Sequence, residues 1–75
     1  MRVFFDFTRP GQCLYDPKGE DFISLNSARD FAEATAQRLT NALSRDWSGW
    51  SIEVRCAEGQ KYFTVPINDT FSIAA

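Results

Sequence analysis

Apolar and polar positions alternate from the start of the chain. Over residues 2–8, Val3, Phe5 and Phe7 fall on one face, and Phe4 and Asp6 on the other. A period of two is that of an extended strand. Phe4 makes the second face partly apolar, which suits a central strand or a contact surface. Arg9-Pro10-Gly11-Gln12 reads as a turn, because Pro presets one backbone angle and Gly tolerates the other sign. Cys13, Leu14 and Tyr15 predict a short second strand over 13–15. Asp16-Pro17-Lys18-Gly19 then forms a second turn, with Pro at i+1 and Gly at i+3, and Glu20, Asp21 and Phe22 lead toward a helix.

The spacing predicts that helix over about 25–45. Leu25, Ala28, Ala32, Ala36 (or Thr35), Leu39, Ala42 and Leu43 recur at steps of three and four, with Phe31 bordering the stripe. Arg29, Glu33, Gln37, Arg38 and Asn41 lie on the opposite face, toward water. Ser24 is an N-cap candidate with Ser27 three residues on, and Asn26 or Ser27 paired with Asp30 is a competing frame. Arg45 suits the negative end of the helix dipole. The alanines of the inner face let the helix lie close to a sheet.

Beyond Asp46-Trp47-Ser48-Gly49 the period returns to two. Trp50, Ile52, Val54 and Cys56 alternate with Ser51, Glu53 and Arg55, predicting a half-buried strand over 50–56. Ala57-Glu58-Gly59-Gln60 makes a hairpin turn. A fourth strand follows over 61–67, with Phe63, Val65 and Ile67 on one face and Tyr62, Thr64 and Pro66 on the other. Pro66 cannot donate to a ladder and so places this strand at an edge or near its end. In the tail, 68–75, Phe71 and Ile73 stand two apart, able to add a strand or to pack on a partner.

The order is β-β-α-β-β, a single domain over 1–75. The expected fold is α+β: a two-layer sandwich with a four-stranded, mainly antiparallel sheet and one long helix on one face. Strand order 2-1-3-4 keeps every pairing antiparallel and avoids crossings.

Composition narrows function mainly by exclusion. The chain has 75 residues, 8 Lys+Arg against 10 Asp+Glu, and no histidine. A net charge of −2 lacks the basic excess usual in nucleic-acid modules. Without histidine, neither a Ser-His-Asp triad nor a His-ligated metal can be built. No run approaches the ~20 apolar residues of a membrane span, and no signal-peptide core is evident, so a cytoplasmic location is expected. Cys13 and Cys56 lack CxxC spacing and are expected to be free packing residues. No cofactor and no metal is expected.

The residues bear on three functional classes. Phe4, Tyr15, Trp47, Tyr62 and Phe71 are more aromatic groups than a thin two-layer domain easily hides. Exposed aromatic patches mark interaction sites, so these five form a candidate surface for a homodimer or a protein partner. The same rings on a sheet can stack single-stranded bases, which makes nucleic-acid or nucleotide binding the alternative. An enzymatic reading needs Asp6, Glu53 and Arg55 to meet in a cleft that separates their proton affinities; otherwise they are cross-strand pairs on a solvated face. Asp16, Glu20 and Asp21 lack the spacing of a calcium loop.

The motifs also form a sequence-wide pattern. Arg2-Val3-Phe4-Phe5-Asp6 is similar to an R-Y-F-F-D/H start, Asp16-Pro17-Lys18-Gly19 to D-x-x-G, and Leu25-Asn26-Ser27-Ala28-Arg29 to L-x-x-A-R. Trp50-Ser51-Ile52-Glu53-Val54 matches W-x-I-E-V, Gly59 a turn glycine, and Phe63-Thr64-Val65-Pro66-Ile67 resembles L-T-L-P-F. In this order, over about residues 2–67, the chain resembles a family of small stand-alone bacterial domains of unknown function. The departure lies at Arg55-Cys56-Ala57-Glu58, where the family has a more acidic turn. The resemblance implies the domain's extent and carries no catalytic or cofactor residues.

Overall fold

A computed structural model describes residues 1–41 and 46–67. Its elements are β1 (Arg2–Arg9), β2 (Gln12–Leu14), β3 (Glu20–Asp21), α1 (Leu25–Asn41), β4 (Ser51–Arg55) and β5 (Lys61–Pro66). The sheet runs β2-β1-β4-β5, with every pairing antiparallel. This is the α+β architecture and the strand order expected from the alternation. Residues 42–45 of the predicted helix and the tail 68–75 lie outside the described residues.

One strand was not expected. Glu20 and Asp21 pair with Val3 and Arg2 at the start of β1. Two charged residues have no apolar alternation to betray them. Flanking contacts fix them instead: the Met1 ammonium donates to the Phe22 carbonyl at 2.6 Å, the Phe22 amide donates to the Met1 carbonyl at 2.8 Å, and Arg2 pairs with Asp21 at 3.2 Å.

Register follows the period of two. Phe5 stands opposite Val54 and Phe7 opposite Ile52, while Val54 and Ile52 stand opposite Phe63 and Val65. These rows face the helix. The helix is capped at Ser24, whose Oγ accepts the Ser27 amide at 3.1 Å. Its buried residues are Ala28, Ala32 and Ala36, a row at steps of four that brings the backbone close to the sheet. Leu25, expected on the inner stripe, is instead exposed, and the buried row of the helix begins at Ala28.

α1 packs chiefly on β4 and β5. The β1 side of the same face is filled by aromatics. Phe5, Phe22 and Phe31 form a triangle with centroid distances of 5.3–5.7 Å, and Trp47 bridges Phe7 and Trp50 at 5.3 and 5.6 Å. The asymmetry leaves the helix side of β1 and β2 incompletely covered.

Candidate functional site

The sheet face turned away from the helix was expected to be solvated, with Asp6 and Glu53 near each other. The two do stand directly opposite in register. Asp6, however, is 1% exposed. Its Oδ2 accepts Arg55 Nε at 2.5 Å, and its Oδ1 accepts Arg55 Nη2 at 3.2 Å and the Asp16 amide at 2.9 Å. A carboxylate buried this deeply persists only when paired and hydrogen-bonded. The bonds to Asp6, which outweigh the opposing effect of burial, hold the Arg55 guanidinium above its ordinary pKa. Glu53 pairs instead with Lys61 at 3.4 Å.

What covers Asp6 is the loop 15–19. Along β1, β2 pairs with residues 7–9 and β3 with residues 2–3, leaving a gap between them. The Asp16 side chain bridges it. Oδ2 accepts the Phe5 amide at 3.2 Å, and Oδ1 accepts those of Lys18 and Gly19 at 3.0 and 3.1 Å. Burial works to raise the Asp16 carboxyl, but the amides of Gly19, Lys18 and Phe5, with the charge of Arg55, outweigh it and hold it below its ordinary value. Asp16 is thus committed to backbone amides and Asp21 to Arg2. Among the described residues, no group of three or more Asp, Glu, Cys or His is placed to hold a metal ion.

The four candidate aromatics among the described residues do not share one surface. The Phe4 ring lies 4.7 Å from the Arg55 guanidinium carbon on one side and against Gly19 on the other. A Cβ on Gly19 would stand 2.8 Å from that ring, and φ of +72° further favours glycine there. Trp47 belongs to the helix-side core, and Tyr62 is half-buried against the same core, its phenol pushed up by desolvation and by the neighbouring Cys56 thiol. Tyr15 is 73% exposed. Phe71 lies outside the described residues.

The concave apolar feature is on the helix side. A groove of about 410 Å³ runs between α1 and β1–β2, lined by Phe5, Phe7, Leu14, Phe31, Ala32 and Ile52. Asp16, Pro17 and Glu20 close one end, and Thr35 and Arg38 line the helical wall. Leu14 and Phe31 keep 41% and 38% of their surface exposed. Beside the groove, β2 ends the sheet, and among the described residues its outer edge is open. Sequence reasoning missed this groove, since the residues of its floor, Phe5, Phe7, Ala32 and Ile52, read as core by period. The one available signal was the short second strand, too small to need a full helix above it.

A family model matches residues 2–68. The chain belongs to the DUF6894 family, a domain of unknown function. No curated protein and no solved structure matches it. The match covers every described element, so the sheet, the helix and the groove all lie within the DUF6894 domain. The family description assigns no activity, which leaves the geometry as the source of any functional reading.

Proposed function

We propose that this DUF6894 domain is a protein-interaction module whose binding surface is the helix-side groove together with the open edge of β2. The observation that carries this reading is the juxtaposition of the two. An exposed strand edge supplies unpaired backbone groups, and the adjoining groove supplies apolar contacts for alternate side chains. Strand addition to a sheet edge uses that combination. The polar groups of the opposite face are tied to one another, and Phe4 is covered by Arg55 rather than open for base stacking.

The test is a titration of the isotope-labelled protein with a synthetic decapeptide alternating valine and threonine, followed by amide chemical shifts. Saturable shifts at Leu14, Tyr15 and Phe31, lost in Leu14→Lys, are expected. Shifts confined to the surroundings of Asp6, or none on a monomeric chain at peptide concentrations up to about 1 mM, overturn the reading.

A further inference from the structure

We propose that the occupant of this surface is a second copy of the same chain, joined by antiparallel pairing of β2 with β2 about a two-fold axis at Leu14. The inference rests on the groove reading and names its partner.

The backbone selects the axis. Arg9 and Gln12 flank a two-residue turn and form the closing hydrogen-bonded pair of the β1–β2 hairpin. Antiparallel pairs alternate, so Leu14, opposite Phe7, also directs its N–H and C=O to β1. The groups of Cys13 and Tyr15 then point to the open edge. Placing Leu14 on a two-fold axis sets Cys13 of each copy opposite Tyr15 of the other. Those two pairs each exchange two hydrogen bonds, and the Leu14 side chains meet at the close, non-hydrogen-bonded position. Pro10 and Pro17 bound the edge on either side, so no longer register is open to it.

The groove's charges agree with that symmetry. Glu20 lies at one end, opposite Val3, and Arg38 lies on the helical wall two turns beyond Phe31, whose ring packs on Phe5. A two-fold copy lays its groove in the opposite sense, bringing the acidic end of one toward the basic wall of the other. The contact is isologous and closes at two copies. The far edge of the sheet is built differently. β5 carries Lys61 and Pro66, and a register shift lies beside it at Val54/Arg55. Charge, proline and bulge are devices that blunt an edge against pairing. β2 itself, Gln12-Cys13-Leu14, has none of them.

The experiment is sedimentation equilibrium and native mass on the full chain, with three variants. Twice the chain mass of 8.5 kDa is expected. Glu20→Arg should weaken the dimer about tenfold, and the double variant Glu20→Arg/Arg38→Glu should restore it, since exchanging both charges preserves complementarity. Leu14→Cys, placed in a Cys13→Ser/Cys56→Ser background, should form a disulfide-linked dimer under mild oxidation, because the axial pair brings the two Cβ atoms within bonding range. A monomer at concentrations up to about 1 mM overturns the second-copy proposal. So does a dimer indifferent to the charge variants and unlinked by Leu14→Cys. The groove reading is judged separately. A monomeric chain whose groove amides still respond to the strand peptide keeps the binding surface and loses only this partner, and absence of both responses removes both.

Discussion

The two faces of the sheet solve the same problem by different means. On the helix side, cover comes from size matching: three alanines bring α1 down on β4 and β5, and large rings fill what the helix does not reach. On the opposite side, among the described residues, there is no second layer of secondary structure. A five-residue loop, one buried carboxylate and one arginine do the covering, and among the described residues no buried side-chain nitrogen or oxygen is left without a partner. The difference shows where this domain has freedom. Polar groups that look reactive in sequence, Asp6, Asp16 and Arg55, are consumed by structure. The helix-side face, much of which looks like ordinary core, keeps a partly open apolar groove, whereas the depression on the opposite face is lined by charged and polar groups such as Asp6, Glu53, Arg55 and Lys61.

Removing the charge of Asp6 should be the hardest blow to this arrangement. Asp6→Asn strands Arg55 over Phe4 without its carboxylate, and breaking a buried pair from one side costs about 3–5 kcal/mol. The low end, about 3 kcal/mol, is expected here because Arg55 also reaches the carbonyls of Cys56 and Asp16. Urea unfolding measures it, and a loss below about 1 kcal/mol would show that the loop is held by something else. The helix side should answer next. Ala32→Leu overfills the contact with the sheet, for a loss of about 1–3 kcal/mol, whereas Ala34→Leu on the exposed side should stay within about 0.5 kcal/mol. Equal losses would mean that close approach of the helix is not what the alanines provide.

The smallest effect concerns acid. Because the folded-state carboxyl of Asp16 lies below its ordinary value of 3.8, its stabilising contribution is complete above that value and fades as pH falls through the lower, folded-state value. Asp16→Asn should therefore be less stable than the parent chain near neutrality, with the gap narrowing below pH 3.8. A gap independent of pH, followed by thermal melts, would assign the loop's order to shape rather than to charge.

Much of the fold was legible because it rests on period. Val3, Phe5 and Phe7, then Ile52 and Val54, then Phe63 and Val65 announce their strands and their common face. The alanine row announces the helix, and Ser24 its cap. What stayed hidden depends on contacts between distant residues. Nothing local distinguishes a solvated Asp6 from one sealed by Arg55. Phe4 looks exposed until Gly19 is seen against its ring. Glu20 and Asp21 form a strand only because β1 is there to receive them. The groove was illegible for a related reason. Alternation shows which side a residue takes, but not how far sideways a helix lies across the sheet.

The central seam of the sheet has a consequence for how the chain comes together. β1 folds back on β2 and β3 through neighbouring turns, and β4 on β5 through five residues, so both hairpins are local in chain order. Among the described strands, β1 against β4 is the one pairing that joins the two halves, and the Asp6–Arg55 bond on that seam spans 49 positions. The entropy of closing so long a loop must be overcome before any of its contacts can repay it. Assembly thus comes down to one topologically distant encounter between two ready-made halves, and the helix is the tether that sets how often they meet.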